Sequence, residues 1–398
     1  MRIRFIFLGI LHLFLTWNPL TSTLRADEAR IGVESLAILD EFNICKRGDL
    51  ILVPVTIGDK SYPFVLATHI EHTIVDVKLR SLLGNSLGEK SDDGAVLGRW
   101  EEFAPVPMKI GKISIVTAGP LQCAEIATVV AEHTGHEVFG AIGTDLLRDR
   151  VVQVDFDAGK LCIRAGGPMI EPPSGAWCHP MLAQPYGYPT IILNAAGERK
   201  SFYVIDTSFT GAVTLRWFRM RQLIRKGTLT GLRQDNFVTF AGTPQVQRIG
   251  RLEGLGLEGH APVINMKVME SSYDSVGLIY LSRFRLMFDF KNQELFMVQG
   301  ARFEEPDADD WSDMILVSRN GRVTVKMTVM KGAAQLAGIR AGDTVIAVNG
   351  EQTEALTLFE IRQRLTKRAP VSITLRRGEV TLPVQMEPPP AVAIPAAP

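Results

Sequence analysis

Phe64-Val65-Leu66-Ala67-Thr68-His69 and Tyr203-Val204-Ile205-Asp206-Thr207-Ser208 read as one element written twice. Each runs apolar residues into a small or acidic position, then a threonine, then a polar side chain. Such a run, bounded by a polar turn, describes a buried strand that delivers its last residues to a loop. The copies differ in one chemical respect: Asp206 in the second stands where the first has Ala67.

A second block repeats further along. Gly143 to Cys162 reads GTDLLRDRVVQVDFDAGKLC, and Gly277 to Phe296 reads GLIYLSRFRLMFDFKNQELF. They align without gaps 134 positions apart, so Leu147 meets Leu281, Val152 meets Leu286, Asp155 meets Asp289, Phe156 meets Phe290 and Leu161 meets Leu295. The loops align 139 positions apart, so five residues of length change separate the two registrations. Loop and block recurring in the same order predict two homologous lobes.

Each lobe reads as β-rich. Leu50 to Val55 opens the first, and Gly58-Asp59 turns before the Phe64 strand. Val151 to Phe156 predicts a strand, with Asp157-Ala158-Gly159-Lys160 as its hairpin turn, and Leu286 to Phe290 with Lys291 to Glu294 repeats it. Asp145 to Arg148 and Trp217 to Arg225 are expected as short helices. Pro168, Pro172 and Pro173 mark a linker between the lobes.

The chain has 398 residues, enough for two or three domains. Its formal net charge of zero carries no signature of a nucleic-acid or anionic-membrane partner. Arg2 and Arg4 precede the apolar run Phe5 to Leu15, and Leu24-Arg25-Ala26 offers a cleavage site. That pattern predicts a secretory signal over 1–26, a periplasmic or secreted protein, and no membrane span after cleavage. Cys45, Cys123, Cys162 and Cys178 permit two disulfides in an exported chain and leave the pairing open, with free thiols as the alternative. No CxxC pair exists, so a cysteine zinc site is not expected.

From Ser312 the pattern changes. Ile315-Leu316-Val317 and Val323-Thr324-Val325 flank Asn320-Gly321, a strong hairpin signal. Ala333 to Ala337 predicts a short helix stopped by Gly338, Thr344 to Val348 a strand, and Leu356 to Leu365 a longer helix. Val371 to Leu375 and Val380 to Val384 pair around Arg377-Gly378. The tail from Glu387 is rich in Pro and Ala and is expected to be disordered.

This last unit resembles a bacterial PDZ domain, on Ala333-Ala334-Gln335-Leu336-Ala337-Gly338-Ile339, Ala341-Gly342-Asp343 and Val348-Asn349-Gly350. The resemblance implies a peptide laid along an edge strand against a helix, with Val323, Val325, Leu358 and Ile361 as groove residues. One departure is visible: no glycine-rich apolar loop precedes the binding strand to receive a terminal carboxylate.

The two lobes resemble the retropepsin and pepsin-like aspartic peptidases, in the exported bacterial form that carries a C-terminal PDZ domain. In lobe two the likeness rests on Asp206-Thr207-Ser208, Thr210 and the block Val276 to Phe290. In lobe one it rests on Thr68, Ala141-Ile142-Gly143 and Val151 to Phe156. It implies a mainly β fold: two homologous closed β-barrel lobes and then a small α+β PDZ domain. The expected boundaries are an N-terminal segment 27–44, lobes at 45–166 and 176–302, a linker at 167–175, the PDZ domain at 313–386 and a tail at 387–398. It also implies loops that meet at a pseudo-dyad, threonines Thr68 and Thr207 bonded across it, and flap hairpins within Gly94 to Lys112 and Phe237 to Gly250.

The implied chemistry needs two carboxylates: one ionised as base toward water, the other protonated toward the scissile carbonyl. Asp206, Thr207 and Ser208 supply one catalytic loop. Ala67, Thr68 and His69 supply a degenerate partner with no acid. The expectation is therefore a peptidase homologue that binds peptides or protein termini in the cell envelope without cutting them, as a monomer and with no cofactor. The alternative is an active endopeptidase using Asp206 with an unrecognised second group. Glu71 and Asp76 are candidate acids. His69-x-x-His72 and His133-x-x-His136 are candidate metal pairs with Asp206 or Glu132, although no metal is expected. A homodimer joining two Asp206 loops is a further route, disfavoured because each chain would have to open its own lobe pairing.

Overall fold

The computed structural model describes residues 30–91, 98–181, 188–196, 198, 200–238, 244–308 and 310–389. The chain is mainly β, with a separate small domain of strands and short helices at its C-terminal end. The signal reading over 1–26 lies outside the described residues. Among those described, no helix is long and apolar enough to cross a membrane.

The body is organised around a six-stranded sheet in the order Ile38–Asn43, Lys160–Ala165, Arg150–Asp155, Phe284–Asp289, Glu294–Gln299 and Trp177–Pro180. Its two halves are the two sequence blocks. At the centre Val151 pairs with Asp289, Gln153 with Met287 and Asp155 with Arg285, all antiparallel. Gln153 and Met287 are themselves 134 positions apart. A two-fold axis through that pair exchanges the other two pairs, so the repeat in sequence is a symmetry of the sheet. The turns repeat as well. Asp155 Oδ1 accepts from Ala158 N at 2.8 Å, and Asp289 Oδ1 accepts from Asn292 N at 3.0 Å. The next residues, Gly159 and Gln293, both take positive φ, 73° and 56°. Glycine adopts that conformation without the penalty other residues carry.

A nine-stranded sheet is built from lobe one and a seven-stranded sheet from lobe two, in which Thr190–Ala195 also pairs with Pro244–Gly256. In each, the strand entering the loop lies parallel to a short strand from further along: Val65 beside Ala141 and Leu66 beside Ile142, Val204 beside Ser275 and Ile205 beside Val276. Phe64 and Tyr203 are fully buried, so both loops hang from the core that spans the lobes. Hairpins project from both lobes: Ser86–Ser91 with Arg99–Phe103, and Leu229–Val238 with Pro244–Gly256. The first begins earlier than the expected Gly94. Residues 92–97 and 239–243 lie outside the described residues.

Three sequence details changed. The expected helix at Asp145 is a 3₁₀ turn, Thr144–Leu146, whereas Trp217–Arg225 is α-helical. The linker is anchored, because Met169 and Ile170 are buried and Ile170 bridges to Ile31. All four cysteines are free. Cys123 and Cys162 lie in different sheets, and burial pushes the Cys123 thiol up to about 11.

The C-terminal domain has its own core. Its sheet runs Met314–Arg319, Arg322–Thr328, Thr344–Val348, Val371–Arg377 and Val380–Met386, with helices Ala333–Leu336 and Leu358–Thr366. Asn320 and Gly321 both take positive φ, 51° and 71°, which matches a two-residue turn to the twist of its strands. Thr357 starts the longer helix with a capping box to Glu360.

Candidate functional site

The two loops meet between the lobes. Ala67 N donates to Ile142 O, and Asp206 N donates to Val276 O, each at 3.0 Å. Thr68 Oγ1 donates to Ile205 O at 2.5 Å, while Thr207 Oγ1 donates to Leu66 O at 2.6 Å. The backbone completes the exchange: Thr68 N donates to Thr207 Oγ1 at 3.1 Å, and Thr207 N to Thr68 Oγ1 at 3.2 Å. Both threonines are 1% exposed, so unmade bonds here would leave buried polar groups unpaired. The reciprocal network fixes the loops face to face.

Asp206 is buried at 3% exposure. Its Oδ1 accepts from Ser208 N at 2.9 Å, Ser208 Oγ at 2.8 Å and Phe209 N at 3.1 Å. His69, from the other lobe, brings Nδ1 to 3.1 Å from the same oxygen. Tyr273 Oη reaches Oδ2 at 3.4 Å. Burial pulls the His69 ring toward its neutral form, but the Asp206 carboxylate outweighs it and holds the ring above the usual imidazole value. Burial likewise opposes the Asp206 charge, yet His69 and the Ser208 donors hold the carboxyl below its usual range. Burial and the Asp206 charge push the Tyr273 hydroxyl up. The centre is thus a histidine–carboxylate pair built across the lobe interface, in which each group favours the other's charged form.

This geometry limits the chemistry. A carboxylate held below its ordinary range is a weak base toward water. A serine–histidine–aspartate relay needs the serine and the acid on opposite ring nitrogens. Here Ser208 Oγ lies 3.1 Å from His69 Nδ1, the nitrogen that also meets Asp206, and it donates to the carboxylate. Ser208 is therefore not set up as a nucleophile.

Neither candidate acid fills the gap at Ala67. Glu71 pairs with Arg148 at 3.2 Å in a half-exposed position. Asp76 is fully buried and accepts from Lys78 N, Ile126 N and Ala127 N, holding the start of helix Ala127–Thr134. The histidines go separate ways: His136 Nε2 meets Asp49 at 2.8 Å, and His133 Nδ1 meets Val129 O at 2.9 Å. Among the described residues, no group of three or more His, Cys, Asp or Glu side chains converges for a metal ion.

In the C-terminal domain, Val323, Val325, Leu358 and Ile361 are all buried in the core. Val323 pairs with Ser318 on one side and Val345 on the other, so its strand is interior. Met314–Arg319 stands at one end of the sheet, beside helix Leu358–Thr366, and Val380–Met386 at the other. Sequence reading chose the neighbouring strand because both carry the same alternating pattern. It also missed His69 as a partner of Asp206 and missed Tyr273. Those contacts span 67 residues or more, and no local pattern announces them. A cleft of about 1290 Å³ lies away from Asp206, between Ile315 to Val317, the long helix of this domain and the lobe-two turn Phe209 to Ala212.

Comparison with known proteins supports the C-terminal assignment. The family model described as PDZ domain matches residues 300–376. That match starts ahead of the expected 313 and ends before the last strand, Val380–Met386, which closes the same sheet. No curated protein matches the chain.

Proposed function

We propose that the chain is an exported aspartic-peptidase-like protein whose two closed β lobes form a peptide cleft that no longer hydrolyses, followed by a PDZ domain. The cleft and the PDZ groove would each take a peptide or a protein terminus in the cell envelope, on a monomer. Support for the lobes comes from the symmetric central sheet, the exchanged threonine bonds and the return pairing of Thr190–Ala195 onto Pro244–Gly256. The observation that carries the loss of hydrolysis is His69 Nδ1 at 3.1 Å from Asp206 Oδ1. In the two-carboxylate mechanism the second group is an acid that shares a proton with the first. Here it is an imidazole that bonds the carboxylate and favours its ionised, weakly basic form.

The same contact supports the competing reading, an endopeptidase in which the His69 imidazolium serves as general acid. Incubating the purified chain and its Asp206→Ala variant with denatured protein across pH 3–8 separates the two. The lead reading predicts no difference between them. Pepstatin-sensitive cleavage lost in the variant would establish the endopeptidase instead.

A further inference from the structure

The edge strand of the PDZ domain is covered on one side by lobe one. Helix Ala127–Thr134 of lobe one runs along the edge strand Met314–Arg319. Glu132 Oε1 meets Arg319 Nη2 at 3.1 Å and Lys326 Nζ at 3.2 Å. Arg362, on the long PDZ helix, spans the gap: Nη2 donates to Leu316 O on the edge strand, and Nη1 donates to His133 O at the end of the lobe-one helix, both at 2.9 Å. Gly135, which ends that helix at φ 79°, lies so close to Leu358 that an added Cβ would come 3.0 Å from Leu358 Cβ.

The far end of the groove is closed. Trp311 N donates to Leu365 O, and its Nε1 donates to Lys367 O at 2.6 Å, stitching the entry of the edge strand to the end of the helix. Asp310 accepts from Ser312 N and Oγ and places a carboxylate there. A ligand's terminal carboxylate would meet that acid.

We infer that helix Ala127–Thr134 is a resident, intramolecular cover of the edge strand Met314–Arg319 beside the PDZ groove, and that an outside partner pairs with that strand only by displacing it. The resident contacts define the partner. It carries a carboxylate for Arg319 and Lys326 in place of Glu132, and a main-chain carbonyl for Arg362 in place of that of His133. That describes an internal acidic segment, not a free C-terminus. The 1290 Å³ cleft beside Ile315 to Val317 gives such a segment its approach. Because the helix is tethered to the edge strand, its local concentration is high, and a weak contact suffices to keep a dilute competitor out. The inference stands on the PDZ assignment and is independent of whether the lobes hydrolyse anything.

Amide hydrogen exchange on the full chain, with Glu132→Lys, with Arg319→Glu/Lys326→Glu, and with all three changes together, tests the docking. Either half alone should speed exchange about tenfold or more in both 127–134 and 314–319, since undocking exposes them together. The combined charge swap should restore protection, and Thr190–Ala195 in lobe two should be unaffected throughout. Unchanged exchange in the half-swaps, or no recovery in the full swap, would overturn the docking. A random-peptide phage library panned on the native chain and on Glu132→Lys tests the partner. Acidic internal sequences should enrich on the variant alone. Equal enrichment on both, no enrichment on the variant, or enrichment of C-terminal sequences would overturn the inference.

Discussion

Ala67 and Asp206 make the same backbone bond at the same length, and the threonines after them exchange mirror-image bonds. One loop nevertheless presents a methyl group and an imidazole, and the other a carboxylate with three donors of its own. The scaffold role of this loop depends on hydroxyls and main chain. Two-carboxylate chemistry would depend on a single side chain in each loop, which the shared bonds do not require. The difference teaches that retained geometry at such a dyad argues for the fold and not for the activity.

The sharpest way to break that contrast is to return the acid. Ala67→Asp with His69→Gly should create pepstatin-sensitive cleavage of denatured protein, a gain of about 10²–10⁴-fold over the native chain, the range of general acid–base catalysis. Dependence of that activity on Asp206 checks that the restored pair is its source. Continued inactivity with an intact fold would show that more than the acid has been lost.

Next in size is the pair itself. His69→Ala leaves Asp206 with its own loop's donors and the Tyr273 hydroxyl, and breaking a buried pair should cost about 3 kcal/mol in chemical denaturation. Asp206→Asn should cost less, because a buried histidine can shed its proton. The pH dependence follows from the two shifts. The raised His69 value makes its contribution complete below the ordinary imidazole value near 6.5, and lost as pH rises through the raised one. The lowered Asp206 value makes its contribution complete above the ordinary carboxyl value near 4, and lost as pH falls through the lowered one. The penalty of His69→Ala should therefore be greatest between about pH 4 and 6.5 and shrink at higher pH. Thr207→Val should cost about 1–3 kcal/mol, since it strands Leu66 O and Thr68 N in the interface, with no such pH dependence.

Much of this arrangement was legible in the sequence because it repeats. The 134-residue offset becomes the two-fold of the central sheet, and Asp155 and Asp289 hold equivalent turns. Asn320-Gly321 announced its hairpin through a backbone requirement that few residues meet. What escaped was cross-lobe and cross-domain contact. Nothing around His69 indicates that its ring would turn onto Asp206 rather than to solvent. Asp76 reads as a surface charge after a turn, yet it is buried as a cap for a helix fifty residues on. The PDZ edge was misplaced by one strand because alternation reveals which residues point inward, but not which strand lacks a neighbour.

The central claim, that a charged histidine–aspartate pair stands at the dyad, is tested most directly by NMR titration of the His69 ring. The native chain should titrate His69 above pH 6.5, and Asp206→Asn should bring its midpoint down to the ordinary imidazole value or below it. A native midpoint at or below the ordinary value, or one indifferent to Asp206→Asn, would contradict it.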